Sequence, residues 1–176
     1  MAETKNFYAS IISYTIPPIS IILIDLLFYI PRSSDFWNFI RLVPFYTGIY
    51  FWSSQRPDAF NGISVFLLGI IADVMSANPL GINVMTFLCL YFLATRLSTY
   101  INVKRFSYSW LLFALSITLS IMFKFLITSI FNRMWIPLNA ALLELLLTIT
   151  IYPLLARYYI WVERRYIHLE DRYEKI

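Results

Sequence analysis

Long apolar runs separated by short polar breaks make up most of this chain. A helix needs about 20 apolar residues to cross a bilayer, and six runs approach that length. They lack the strict alternation of polar and apolar positions that the strands of a membrane β-barrel require. The pattern predicts an all-α membrane protein with six transmembrane helices in one domain, residues 1–176. We place the spans at about 9–30, 36–53, 62–77, 81–100, 108–131 and 138–161, with a cytoplasmic tail at 162–176.

Composition supports a membrane location and narrows the chemistry. Hydrophobic residues make up 60% of the chain, aromatic residues 19% and charged residues only 14%, which is outside the balance of soluble domains. The single cysteine, Cys89, has no intramolecular disulfide partner, and the single histidine, His168, falls in the tail. We therefore expect no metal site, no cofactor and no Cys/His chemistry.

The basic residues predict the orientation of the spans. With the N-terminus in the cytoplasm, the outer loops receive only Arg32 and Arg133. The cytoplasmic side receives ten basic residues in loops, tails and the inner ends of spans: Lys5, Arg56, Arg96, Lys104, Arg105, Arg157, Arg164, Arg165, Arg172 and Lys175. By the positive-inside rule, both termini should be cytoplasmic. The net charge of +4 is then explained by topology, and we expect contact with membrane lipids but no nucleic-acid binding.

Five charged residues interrupt the apolar runs at similar depth. At about 1.5 Å per residue, all lie roughly 6–10 Å from the outer ends of their spans. They are Asp25, Arg41, Asp73, Lys124 and Glu144. Because isolated charges are costly in hydrocarbon, we expect the acids and bases of this layer to pair. The layer is either structural, fixing helix register, or a polar cavity open to the outside for a small ligand or a partner helix.

Residues at helical spacing indicate which faces point inward. One face of the third span carries Gly62, Gly69, Ala72, Asp73 and Ser76, and one face of the fifth carries Ser109, Ser116, Ser120 and Lys124. Small residues let membrane helices approach closely, and polar residues bond across the contact, so we predict that both faces are internal. The second span is rich in aromatic residues that we interpret as lipid or partner contacts: Tyr46, Tyr50, Phe51 and Trp52.

A tight turn follows the third span. In Asn78-Pro79-Leu80-Gly81, proline suits the second position of a type I or II turn and glycine the last. Together with the preceding helix, the segment reads G-x-x-x-D-x-x-S-x-x-P-L-G from Gly69, with Asp73 and Ser76 at the two polar positions. This motif resembles that of the rod shape-determining protein MreD family of bacteria.

The resemblance covers nearly the whole chain. It includes the length, six spans, a basic cytoplasmic end, and Tyr152-Pro153 followed by Arg157 in the last span. Ala77 departs from the family, in which glycine is common at that position. The motif residues that match are Asp73, Ser76, Pro79, Leu80 and Gly81.

The resemblance implies a function that the residues alone do not. MreD-like proteins are non-enzymatic inner-membrane components of the cell-elongation machinery. They associate with the bitopic protein MreC and, through it, with the actin-like filament MreB and the wall polymerase and transpeptidase. Their fold is similar to the substrate-binding subunits of energy-coupling-factor transporters. The resemblance therefore implies a scaffold in the bacterial inner membrane that helps maintain rod shape by organising peptidoglycan synthesis.

Two other classes of function stay open. A vitamin-type binding subunit of a transporter would share the helical layout, but the first span lacks the A-x-x-x-A spacing by which such subunits dock their partner. A membrane hydrolase would need a base within reach of a nucleophile. Ser120 and Lys124 lie one turn apart, but a lysine paired with an acid stays protonated and is a poor base.

The tail also has two interpretations. Tyr158, Tyr159 and Trp161 beside Arg164 and Arg165 are typical of an anchor at the anionic membrane surface. Alternatively, the mixed charges after Arg165 suit a helix that docks a cytoplasmic partner such as a filament.

Overall fold

The computed structural model describes the backbone of residues 2–28, 35–76, 79–100, 106–132 and 138–174. It describes side chains within 14–27, 42–76, 79–98, 108–130, 138–139 and 141–165. These parts of the chain contain six α-helices and no strand, which confirms the predicted all-α class. The helices are α1 (Ala2–Phe28), α2 (Asp35–Gln55), α3 (Gly62–Ser76), α4 (Ile82–Tyr100), α5 (Phe106–Asn132) and α6 (Leu138–Glu174).

The helices follow the predicted spans, but α6 is longer than expected. It continues past Trp161 to Glu174, so most of the predicted tail is helical. Among the described residues, two segments are long and apolar enough to cross a membrane, Tyr108–Ile130 and Ala141–Arg165. Three shorter apolar helical segments are Tyr14–Leu27, Gly62–Ser76 and Ile82–Ser98.

Helix α2 lies at the centre of the bundle. It packs against α1, α4 and α6 and touches α3, and every residue from Leu42 to Trp52 is buried. The interpretation of its aromatic residues as lipid or partner contacts is therefore wrong. They fill the interior because α2 is surrounded on all sides, and their exposed fractions are 3% or less: Tyr46, Tyr50, Phe51 and Trp52.

Two glycines set the distances between helices. A Cβ atom on Gly69 would lie 2.6 Å from Cα of Val84, so α3 and α4 pack backbone to backbone. On Gly48 it would lie 2.5 Å from Cγ1 of Ile21 and 2.7 Å from the hydroxyl oxygen of Tyr159. These contacts bring α1, α2 and α6 together, which is the use that membrane helices make of small residues.

A tryptophan compensates for the proline inside α6. Pro153 has no N–H, so the carbonyl of Ile149, four residues earlier, has no partner within the helix. The indole N–H of Trp110 from α5 donates to that carbonyl at 3.3 Å. The proline thereby adds a link between α5 and α6.

Candidate functional site

Asp73 closes the α3–α4 hairpin. Its carboxylate is fully buried and accepts backbone N–H bonds from Gly81 at 2.7 Å and Asn83 at 2.9 Å. The first amides of a helix lack partners within it and carry partial positive charge, so an acid is stabilised there. Asp73 therefore caps α4 from the neighbouring helix.

The rest of the motif makes this cap geometrically possible. Gly81 has φ of 108°, a left-handed conformation that glycine adopts without strain. The amide of Ile82 donates to the Pro79 carbonyl at 3.4 Å, and Gly69 admits the α4 backbone. Ser76 is half-buried and Leu80 is exposed. The positions predicted at Ala77 and Asn78 lie outside the described residues.

A second polar assembly joins α2, α5 and α6. We call Tyr46, Lys124 and Glu144 the polar triad. The ammonium of Lys124 donates to Oε1 of Glu144 at 2.7 Å and to the hydroxyl oxygen of Tyr46 at 3.2 Å. The Tyr46 hydroxyl in turn donates to the same Oε1 at 2.9 Å. Removing one partner of such a buried pair leaves an uncompensated charge, so the triad strongly favours this helix arrangement.

The triad is shielded from its surroundings. The side chains of Lys124 and Glu144 are 15% and 6% exposed, and Tyr46 is fully buried. Thr128 and Thr148, four residues after Lys124 and Glu144, donate their hydroxyls to the backbone carbonyls of those two residues. The triad therefore lies inside the bundle and not toward lipid.

Asn83 lies between the two assemblies. It is fully buried, and its side-chain nitrogen and oxygen have no hydrogen-bond partner among the described residues. One turn further along α4, Phe87 contacts the Tyr46 ring edge-on at 5.4 Å between centroids. The same face of α4 thus carries an amide whose backbone N–H bonds Asp73 and an aromatic ring that packs on the triad.

The charged residues predicted to form one layer make separate contacts in the structure. Lys124 and Glu144 pair directly, whereas Asp73 accepts hydrogen bonds from backbone amides. Asp25 is buried in α1. The side chain of Arg41 lies outside the described residues.

Several residues of the site carry no signal in the sequence. Tyr46 stands in an aromatic run, and Asn83 follows a turn in which polar residues are common. The predicted inward faces are confirmed at Gly69, Ala72 and Asp73 and at the three serines of α5, which are buried: Ser109, Ser116 and Ser120.

A second group of polar contacts lies one turn along α2 from the triad. The Tyr50 hydroxyl donates to the Ser109 carbonyl at 3.1 Å, and the hydroxyls of Ser109 and Tyr152 lie 3.3 Å apart. Tyr152 also stacks on Phe113 with centroids 4.0 Å apart. These contacts connect α2, α5 and α6 a second time.

Ser120 and Lys124 do not form the Ser/Lys dyad that their spacing in the sequence allows. The Ser120 hydroxyl donates to the Ser116 carbonyl at 2.9 Å, while the Lys124 ammonium is bound to Glu144 and Tyr46. In the described part of the chain, the polar groups of the site are thus committed mainly to contacts between helices.

Comparison with known proteins identifies one family. Residues 9–162 match the family described as rod shape-determining protein MreD, a range that includes Asp73, its two amide partners and the whole triad. No curated protein and no solved structure matches the chain.

Proposed function

Since the chain belongs to the MreD family of rod shape-determining proteins, we propose that it is a non-enzymatic membrane scaffold of the bacterial cell-elongation machinery. It would help maintain rod shape by organising peptidoglycan synthesis through an MreC-like bitopic partner. Through that partner it would act indirectly on an MreB-like filament, the wall polymerase and the transpeptidase.

The polar triad is the observation that carries the scaffold proposal. Its ion pair and both tyrosine hydrogen bonds are internal and join three helices. Because these groups satisfy one another, they fix the arrangement of the three helices, which is what a scaffold with a constant shape requires. The family's role in shape determination indicates the process in which such a scaffold would act.

The proposed location is the bacterial inner membrane, with six spans and both termini in the cytoplasm. Two apolar segments of spanning length and three shorter ones support five of these spans, and helix α2 is proposed as the sixth. The distribution of basic residues orients them. The similarity to substrate-binding subunits of energy-coupling-factor transporters remains a prediction of the resemblance.

The transporter alternative has one observation in its favour. The side-chain amide of Asn83 is buried and has no hydrogen-bond partner among the described residues. Such groups are rare in native structures, and a bound water, ion or ligand is one explanation. A vitamin-type ligand could satisfy it. This alternative predicts a stoichiometric small molecule in the purified protein and no requirement for a bitopic partner.

The test is co-purification of the full chain in mild detergent, with mass spectrometry of the proteins and small molecules that accompany it. We expect an MreC-like bitopic protein with the parent chain. Lys124→Met should reduce both membrane abundance and partner capture, because Glu144 would lose its cation. Lys124→Glu combined with Glu144→Lys should restore part of both, since the pair is re-formed with exchanged charges.

Two results would count against the scaffold. One is a stoichiometric vitamin-like molecule with no protein partner, which would favour the transporter subunit. The other is unchanged abundance and unchanged partner capture in both Lys124→Met and Glu144→Leu. Asp58→Asn is the matched control, because Asp58 is exposed in the α2–α3 connection and its loss should change neither quantity.

A further inference from the structure

An apolar groove of about 300 Å³ runs between α1 and α6 on the outside of the bundle. Its α1 wall includes Ile16, Ile19 and Leu23, and its α6 wall includes Tyr158, Trp161 and Arg165. Five of these six side chains present hydrocarbon or aromatic surface. Arg165 is the charged residue of the lining.

Contacts with α2 set the direction of the groove. The Trp52 indole donates to the Ser20 hydroxyl oxygen at 3.0 Å and packs edge-on to Tyr159, so Ser20 lies near the level of Tyr159. Arg56, the residue that follows the last residue of α2, contacts Glu163 at 3.7 Å. The α1 residues before Ser20 and the α6 residues after Tyr159 therefore extend toward the same end of the bundle, and Arg165 lies at that end.

The dimensions suit a chain of hydrocarbon. Leu23 and Ile16 are seven residues apart, as are Tyr158 and Arg165, so each wall extends about 10 Å along its helix axis. The groove holds about 300 Å³ over that length and opens to the outside of the bundle. A single acyl chain is thin enough to lie in it.

The positive charge of Arg165 indicates which class of lipid the groove would bind. A guanidinium stays protonated and binds phosphate oxygens in a bidentate fork. In a zwitterionic lipid the headgroup's own ammonium offsets the phosphate charge, so a headgroup with net negative charge is the better partner for an arginine. Trp161 is 62% exposed beside it, as tryptophan is where membrane proteins meet the headgroup region. We propose that this groove binds one anionic phospholipid, with an acyl chain against Ile19 and Leu23 and its phosphate on Arg165. The assignment to the cytoplasmic leaflet rests on the orientation given under the proposed function.

The sequence provides a matched control in the adjacent residue. Arg164 and Arg165 are both exposed and differ in depth by about 1.5 Å, but they point about 100° apart around the helix. Only Arg165 lines the groove. A general attraction of the anionic surface for basic residues would affect both equally, whereas a groove site depends on Arg165 alone.

The experiment is native mass spectrometry of the purified full chain, titrated with phosphatidylglycerol or phosphatidylcholine of identical acyl chains. We expect one preferred phosphatidylglycerol per chain. Arg165→Gln should weaken that binding roughly tenfold, as expected for loss of a charge-assisted hydrogen bond, and Arg164→Gln should change it less than about twofold. Ile19→Trp, which fills the groove and keeps the charge, should also weaken it.

Three outcomes would overturn the proposal: equal binding of the two lipids, equal losses in the two arginine variants, or full binding by Ile19→Trp. The melting temperature of each variant in detergent identifies any that fails to fold, and Ile19→Ser, which removes the apolar wall without adding bulk, then replaces Ile19→Trp. The assay needs no partner, so a chain that binds the lipid but captures no MreC-like protein would refute the scaffold and leave the groove intact.

Discussion

At the scale of single residues, the role of Asp73 is to satisfy backbone amides. An acid in an apolar helix suggests an ion pair or a ligand, but this one bonds the amides that open the next helix. The carboxylate offers enough lone pairs to serve both donors at once. The cost of burying it is offset by the helix terminus, which would otherwise expose unpaired N–H groups to hydrocarbon.

Replacing Asp73 with alanine should therefore destabilise the hairpin. The buried N–H of Asn83 would lose its acceptor, at about 1–3 kcal/mol, and the part-buried N–H of Gly81 would lose the same acceptor at a smaller cost. Asp73→Asn should cost less, because the amide oxygen still accepts one bond. Thermal unfolding in detergent measures the effect, with Asp58→Ala as the exposed control. A melting temperature for Asp73→Ala equal to that of the parent would show that the cap contributes nothing.

The polar triad also depends on contacts between individual atoms. Two donors, the Lys124 ammonium and the Tyr46 hydroxyl, bond to Oε1 of Glu144, and a third hydrogen bond joins Lys124 to Tyr46. Because a neutral hydroxyl joins a charged pair, part of the stabilisation lies in Tyr46, which no charge pattern in the sequence identifies. The Lys124 ammonium also lies 5.8 Å from the centre of the Tyr46 ring, within range of a cation–π contact.

At the scale of elements, small residues determine how closely helices pack. Gly69 faces the backbone of Val84, whereas Gly48 faces the side chains of Ile21 and Tyr159. A backbone atom cannot move without its helix, but a side chain can rotate. The α3–α4 contact should therefore tolerate an added methyl group less well than the contacts of α2.

Alanine substitutions at the glycines test this difference. Gly69→Ala should lower stability by about 1–3 kcal/mol, the usual cost of overpacking, and Gly48→Ala should lower it less. Gly62→Ala is the control, because its Cβ would lie 3.9 Å from the nearest atom, on Tyr91, and should have little effect. Unfolding in detergent ranks the three variants. Equal losses at Gly62 and Gly69 would contradict the close contact between α3 and α4.

At the scale of the whole molecule, α6 connects the bundle with the region beyond it. Its 37 residues correspond to about 55 Å, against roughly 30 Å of hydrocarbon. The segment apolar enough to span ends at Arg165, yet the helix continues to Glu174. The ion pair between Arg56 and Glu163 braces α6 against the end of α2 close to this point. The extension is therefore helical, which both a docking helix and an anchor at the membrane surface allow.

Deletion of residues 166–176 separates these two roles. If the extension docks a cytoplasmic partner, the shortened chain should reach the membrane at normal abundance and fail to recruit a filament. Membrane fractionation and fluorescence localisation of the filament measure the two quantities. Reduced insertion would instead indicate an anchor. Replacement of the segment by a flexible linker of the same length controls for spacing.

Much of the architecture is predictable from the sequence. The number of helices and their approximate bounds follow from apolar runs and turn residues, and the inward faces of α3 and α5 follow from helical spacing. The environment of α2 cannot be predicted in this way, because an aromatic run has the same composition whether it faces lipid or other helices. Only the packing of neighbours around α2 distinguishes the two cases.

The sequence by itself determined that this is a helical membrane protein, because hydrophobicity and segment length are properties of each apolar run taken alone. It also determined the family, through a motif whose residues lie close along the chain. The tertiary structure decided which polar groups meet. The partners of Asp73 lie 8 and 10 residues further on and come within reach only when the hairpin closes. Those of Lys124 lie 20 residues ahead and 78 behind, a choice set by which helices become neighbours.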